Sequence, residues 1–354
     1  MKRTRYSAIV MSLAVFAMFT LGSCNSSTPP ASSAAPASDA ASDAASVSAS
    51  EPASSAAPAA QDTVRLIMAT GGTSGTYYPF GGALAQAIDA GTGYIRVNVN
   101  ATGASAENVQ QIGGSLADLA IVQNDVMDYA YNATNTWTGE AVTGMSTLMS
   151  LYPEVCQLIV SADSGINSVA DLAGKRVSTG DIGSGVEANA TQILEAYGLT
   201  VADISQEHLS FAASADAMKD KTIDAFFATS GTPNTAVMDL QTSRNIKVIN
   251  LDDDKIDSLI AKYPFYAKVT LSSDDYSFLA EPVNTVAVQA TLIASPDMDE
   301  QVAYDIVKAI IEGKDAITAA HAKGAYISAE YAIQGISVAF HPGAEKYFKE
   351  IGVL

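Results

Sequence analysis

The chain has 354 residues, 19 Lys+Arg against 38 Asp+Glu, a formal net charge of −19, 48% hydrophobic residues and two cysteines. That acidity favours solubility and makes nucleic acid and anionic membrane surfaces poor partners. Length and apolar content suffice for one or two buried cores.

Lys2, Arg3 and Arg5 precede an apolar run from Ala8 to Leu21. A positive n-region followed by a run of this length is a signal pattern, short for a membrane span. It ends in Leu21-Gly22-Ser23-Cys24, which resembles a bacterial lipobox, where the cysteine is acylated and becomes the first mature residue. Residues 1–23 are expected to be a lipoprotein signal peptide, and losing its three cations moves the net charge from −19 to −22. Residues 24–62 are then nearly all Ser, Ala and Pro, with a few acids such as Asp39, Asp43 and Glu51. Such a stretch cannot bury enough apolar surface to offset the entropy of ordering. It is expected to be a flexible tether holding the globular part roughly 30–40 Å from the lipid.

Beyond the tether, Val64–Met68 reads as a strand leading into the Gly- and hydroxyl-rich loop Gly71–Thr76, and a helix-like run follows over Ala83–Ile88. A loop of this kind at a helix start presents bare N–H groups and the positive end of the helix dipole, which suits an anion. It lacks the Lys of a nucleotide-binding P-loop. A second strand, Tyr94–Asn100, precedes a helix capped by Ser105, and strand Leu119–Val122 ends in a polar tip, Gln123-Asn124-Asp125. The pattern recurs from Lys175: strand to Thr179, loop Gly180–Gly185, a helix through Ala190, Ile193 and Leu194 that stops at Gly198, strand His208–Phe211, a helix capped by Ser214, strand Ala225–Ala228 and tip Thr229–Thr232. Two β-loop-α-β-loop-α-β units imply two α/β lobes. In open α/β sheets ligands bind beyond the carboxyl ends of the strands, so these loops and tips would line a shared cleft.

Further on, Asp252–Asp254 reads as the acidic start of a helix running to Lys262 and stopped by Pro264; nothing completes a calcium loop around these acids. Thr285–Ala294 is a long alternating strand, read as the return crossing to the first lobe, and Pro342 opens a terminal helix containing Tyr347 and Phe348. Cys156 sits in an apolar run and is expected to be buried and free, since an acylated Cys24 leaves it no disulfide partner. His208, His321 and His341 stand beside no nucleophile, and no Gly-x-Ser-x-Gly, His-Glu-x-x-His or Cys/His ligand spacing occurs. The sequence therefore points to a binding protein without catalytic residues, cofactor or metal.

The segment Ala69–Leu84, with Ala-Thr-Gly followed by Gly-Thr-Tyr-Tyr-Pro and Gly-Gly, resembles the opening of TAXI-type solute receptors of TRAP (tripartite ATP-independent periplasmic) transporters. The resemblance continues in order through Asp118–Val126, Leu151–Glu154 with Gln157–Val160, Asp163–Ile166 with Val169–Val177, Gly183–Glu187, Ile223–Phe227, Lys262–Tyr266 and His341–Ala344. It implies a two-lobed, periplasmic-binding-protein type II-like α/β fold with a ligand cleft between the lobes. In this chain lobe 1 would be 63–156 plus 285–354 and lobe 2 157–284. It also implies an extracytoplasmic receptor, monomeric by default and anchored through Cys24. Such a receptor hands a small carboxylated solute, a glutamate-like amino acid or 2-oxo-dicarboxylate, to a membrane permease driven by an ion gradient. A ligand-sensing lipoprotein feeding a membrane signalling partner is the alternative.

Backbone amides and hydroxyls of Gly72, Thr73, Ser74, Thr76, Ser184, Gly185 and Val186 are the expected carboxylate holders. Asn124 and Gln157 would read an amino or oxo group, with Ser230 at the facing tip. Tyr77, Tyr152 and Phe227 are open between packing on the ligand and packing in the core. No Arg or Lys stands in the loops, leaving Arg65 and Arg96 as partners of a second carboxylate by elimination only. Ile182, Val186 and the Ala228–Gly231 tip depart from the family pattern at the cleft, which leaves ligand identity open.

Overall fold

The computed structural model describes residues 62–354; the expected signal peptide, Cys24 and the tether to residue 61 lie outside the described residues. In chain order the first unit is β1 (Val64–Ala69), α1 (Tyr77–Thr92), β2 (Ile95–Asn100), α2 (Ser105–Gly113), β3 (Leu119–Gln123) and α3 (Asn124–Asn132), followed by a long strand β4 (Ser146–Ser161). The second is β5 (Arg176–Ser178), α4 (Gly185–Ala196), β6 (Ser205–Glu207), α5 (Phe211–Lys219), β7 (Ala225–Ser230), α6 (Thr235–Gln241) and β8 (Ile246–Val248). Then come α7 (Asp253–Lys262), β9 (Ala267–Leu271), β10 (Val283–Ala294), α8 (Glu300–Glu312), α9 (Lys314–Ala320), α10 (Ala329–Ala332) and α11 (Pro342–Glu350).

One sheet carries the order β2-β1-β3-β10-β4-β7-β5-β6, with β8 paired to β4 and β9 to β10. Read from its two ends, this is the same order twice. The second, first and third strands of each unit run parallel, then meet one antiparallel strand, β10 in one half and β4 in the other. Parallel neighbours require crossover helices, which each unit supplies. The result is the α/β, two-lobed arrangement of type II periplasmic-binding-protein folds.

Each half buries both faces of its strands. In the half built on β1, Phe80, Leu84 and Ile88 of α1 meet Ile306 and Ile310 of α8 and Phe348 of α11 on one face, while Val109, Ile112 and Met127 cover the other. In the half built on β5, Ile193 and Leu194 of α4 pack with Val177 and Phe227, while Val237 and Leu240 of α6 cover Phe226 on the opposite face. Full burial of one such side chain stabilises the fold by about 1.5–3 kcal/mol. β4 and β10 pass through both halves: Met149 and Tyr152 belong to the first core and Leu158 and Val160 to the second, as do Leu292 and Val286 of β10. The handover falls at Pro153–Glu154, opposite Gln289 and Val288.

The structure corrects several sequence expectations. α1 begins at Tyr77, six residues before the apolar run, because Tyr77 and Phe80 already face the core. Ser105 is the first residue of α2, not its cap; its hydroxyl accepts the Gln123 N–H instead, at 3.1 Å. Strand β6 ends at Glu207, before the expected His208–Phe211, and Ser210 caps α5 in place of Ser214, which is buried and bonded to Ser178. The tip after β3 is the first turn of α3. Cys156 is buried and free, and burial pushes its thiol pKa far up. His341 caps α11, its Nδ1 accepting the Gly343 N–H.

Candidate functional site

Where the two halves face each other, at the carboxyl ends of β1, β3, β5 and β7, lies a cavity of about 550 Å³, its open mouth included. Four helices start at its wall: α1 at Tyr77, α2 at Ser105, α4 at Gly185 and α5 at Phe211. Each leaves first-turn N–H groups without intrahelical partners and adds the positive end of its dipole.

The start of α4 is the most fully built. Gly180, at φ +92°, turns the chain so closely over Val186 that a Cβ there would lie 2.8 Å from the Val186 Cβ. Ser184 Oγ then accepts the Glu187 N–H at 3.2 Å, and Glu187 reaches back to accept the Gly183 N–H at 2.7 Å. This reciprocal arrangement fixes the turn. It leaves the N–H groups of Gly185 and Val186 without a partner among the described residues. Gly185 is required by close approach: a Cβ there would overlap Gln123 Oε1 at 1.2 Å.

Of the residues expected at the site, Gly72, Ser74, Thr76, Tyr77, Ser184, Gly185, Val186 and Ser230 line this cavity. Five do not. Thr73 is exposed at the outer tip of its loop. Asn124 is occupied behind the wall, accepting the Gln289 N–H at 3.0 Å and donating to the Gly335 carbonyl at 3.2 Å. Gln157 accepts the Tyr276 hydroxyl at 2.7 Å. Tyr152 packs edge-on against Phe80 at 5.0 Å, and Phe227 lies in the second core. The arginines proposed by elimination sit at the wrong end of their strands. Arg65 is exposed near the start of β1, and Arg96, near the start of β2, pairs with Asp89 at 2.8 Å. Arg176 is a surface residue paired with Asp224 at 2.7 Å.

The structure adds residues that the sequence argument passed over. Glu154, at the handover in β4, is 2% exposed and lines the cavity, and Tyr77 donates its hydroxyl to Glu154 Oε2 at 2.6 Å. Burial is the main cause that raises its pKa to about 8. Asp181 lines the opposite side, its pKa also raised by burial. Gln123, Ser105, Ser210, Phe211 and Thr229 complete much of the wall. Lys323 is buried nearby, its ammonium over the Tyr326 ring at 5.1 Å; burial lowers its pKa. A signal for Glu154 existed: it is the one charged residue in the mostly apolar run from Leu148 to Val160.

Beside the cavity the halves are joined by buried polar contacts. Asn189 of α4 accepts from Gln123 Nε2 at 2.9 Å and donates to Asp125 Oδ2 at 2.9 Å and Tyr266 Oη at 2.8 Å. Gln192 donates to Tyr129 Oη at 3.2 Å, and the Ala106 N–H reaches the Gly183 carbonyl at 3.1 Å. Burial lifts the Asp125 pKa to about 6.

The arrangement is a compartment with an open mouth, with unpartnered amides and a buried carboxylate in its wall. Among solved structures, the chain resembles the alkanesulfonate-binding protein SsuA from Xanthomonas axonopodis pv. citri at 14% identity, over 82% of this chain and 85% of that one, with a TM-score of 0.48. It also resembles a putative L-cystine ABC transporter protein from Listeria monocytogenes at 15% identity, over 78% of this chain and all of that one, with a TM-score of 0.48. These likenesses are too distant to speak to the ligand. The sequence comparison is firmer: residues 68–352 match the NMT1-like family, and the chain belongs to that family.

Proposed function

We propose that this protein is an extracytoplasmic solute receptor of the TAXI type that binds and does not transform its ligand. It captures a small carboxylated solute between lobe 1 (63–156 plus 285–354) and lobe 2 (157–284). Acylated Cys24 tethers it to the membrane, and as a monomer it delivers the solute to a TRAP-type, ion-gradient-driven permease. A glutamate-like amino acid or a 2-oxo-dicarboxylate is the solute class. The observation that carries this reading is the unpartnered Gly185 and Val186 amides at the start of α4, which open on the compartment between the two halves. Hydrogen bonds to a charged acceptor contribute about 1.5–3 kcal/mol each, and a helix start supplies them without a basic side chain. Gly72, Ser74, Thr76 and Ser230 add amides and hydroxyls from the facing walls.

A ligand that binds only the folded, closed form stabilises it by about 2.7 kcal/mol at a hundredfold excess over Kd, which moves Tm by several degrees. Protein refolded to strip carried-over solute is scanned by thermal shift against amino acids, dicarboxylates and 2-oxo acids. Stabilisation by a narrow set of carboxylates is the expected result. Absence of a shift with every carboxylate would sink the reading.

A further inference from the structure

The side chains that join the two halves beside the cavity are polar and buried at once. Asn189 and Gln192, one turn apart on α4, face Asp125 and Tyr129, one turn apart on α3, and all four are at most 2% exposed. Their bonds run as one connected network. Gln123 Nε2 donates to Asn189 Oδ1 at 2.9 Å, and Asn189 Nδ2 donates to Asp125 Oδ2 at 2.9 Å and to Tyr266 Oη at 2.8 Å. Tyr266 Oη then donates to Gln192 Oε1 at 2.5 Å, and Gln192 Nε2 to Tyr129 Oη at 3.2 Å. We infer that Asn189 is the hub of a latch that joins the two halves through the protein's own side chains and lets them part and rejoin without a solute.

Two features make the seam separable. An apolar seam would expose hydrocarbon on opening, whereas amides, phenols and a carboxyl exchange their partners for water at small net cost. In addition, Gln123 Oε1 and Asp125 Oδ1 are buried without a hydrogen-bond partner among the described residues. An unpaired buried acceptor is costly, and parting the halves returns both oxygens to water. Bonds that join the seam and orphaned oxygens that oppose it thus sit in one network, which brings the joined and parted forms closer in free energy. Across the cavity the facing contact is slighter. Thr76 Oγ1 meets the Gly231 carbonyl at 3.4 Å, and Lys323 runs so close over Gly231 that a Cβ there would lie 2.8 Å from its Cε. A solute that enters such a seam need not supply all the free energy of bringing the halves together.

Asp125 makes the latch respond to pH. The titratable groups around it are Asp128 and Tyr129 on α3, Glu154 and Cys156 on β4, and Tyr266 from the other half, none of them a base. Burial is the main cause that lifts its pKa from 3.8 to about 6, and water reaching it in the parted form restores the ordinary value. The joined form therefore binds more protons, and its advantage is lost as pH rises from about 4 to about 6.

Trp137, the one tryptophan of the sequence, reads the seam directly. It lines a second cavity, about 690 Å³ with its open mouth, between Tyr129 of α3 and Glu187, Ala188 and Thr191 of α4. Acrylamide quenching of its fluorescence is measured on the full-length protein, refolded to strip carried-over solute, from pH 4 to pH 7. Asn189→Ala is expected to raise the quenching constant about twofold at pH 4 and to shift the emission to the red, with far-UV circular dichroism unchanged. The wild type should approach the same values as pH rises through about 6, and Asp125→Asn should abolish that rise while staying joined. Equal quenching in the wild type and Asn189→Ala at every pH overturns the inference. Should Asn189→Ala not fold, Asp125→Asn decides alone, and a pH response equal to that of the wild type overturns the latch. No solute enters the test, so the receptor reading stands or falls separately.

Discussion

The loop ahead of α1 and the loop ahead of α4 occupy equivalent places in the two repeated units, yet they end differently. At α4, Ser184 caps the helix and Glu187 closes back on the Gly183 N–H, which fixes the turn and leaves the Gly185 and Val186 N–H groups without a partner among the described residues. At α1, Thr76 makes no side-chain cap; its hydroxyl reaches the Gly231 carbonyl of the other half at 3.4 Å, and the next residue, Tyr77, extends its phenol to Glu154. One copy therefore leaves two amides unpartnered at a helix start and the other holds an acid in place. The common frame sets where a ligand can lie, and the departures from it set which end of the ligand goes where.

The largest effect is expected where the two copies touch. In Gly185→Ala the new methyl would collide with Gln123 Oε1, whose amide is held by Asn189, so α4 could not seat against β3. Overpacking of this kind costs about 1–3 kcal/mol, so the Tm of the empty protein should fall by several degrees and solute affinity about ten- to hundredfold. Calorimetry on Gln123→Ala/Gly185→Ala sharpens the point: the penalty of Gly185→Ala should shrink once the Gln123 amide is gone, and an unchanged penalty would move the cause elsewhere.

The acid held by the first copy should set the pH dependence of stability. Glu154 has a folded pKa of about 8 against an ordinary value of 4.5, and Asp125 about 6 against 3.8, both raised chiefly by burial. For an acid with a raised folded pKa the native state binds more protons than the unfolded state, so stability falls as pH rises through that window. The ligand-free protein is therefore expected to be more stable at pH 5 than at pH 8. The Glu154 share has a limiting slope of about 1.4 kcal/mol per pH unit. In Glu154→Gln that share vanishes and the decline between pH 6 and 8 flattens; chemical denaturation at several pH values reads the difference. A wild type and variant with parallel slopes would show that Glu154 ionises freely.

Much of this frame was legible in the sequence because it rests on local signals. The two glycine-rich loops, the periodicity of Ala190, Ile193 and Leu194, and the proline that opens α11 each act within a few residues. What lay beyond reach depends on contacts between distant segments. β4, which carries Pro153, is one strand that crosses both halves, and no local signal in the sequence announces that crossing. Glu154 acquires its setting from Tyr77, 77 residues away, and Asn189 meets Asp125 across 64. The arginines considered for a second carboxylate show the same limit: spacing alone could not tell that they stand at the amino ends of their strands, away from the cavity.

The smallest effects discriminate between the loop that lines the cavity and the loop tip that does not. Ser184 lines the wall and caps α4, so Ser184→Ala should lower stability by about 1 kcal/mol through the lost cap and weaken solute binding by loosening the turn that aims the Gly185 and Val186 amides. Thr73 belongs to the equivalent loop of the first copy and looks the same in sequence, but it is exposed and off the wall. Thr73→Val should therefore change stability by less than about 0.5 kcal/mol and affinity by no more than about twofold. A large loss of affinity in Thr73→Val would mean that the loop folds further over the solute than it does in the ligand-free structure, and that an anion is held by both copies instead of by α4 alone.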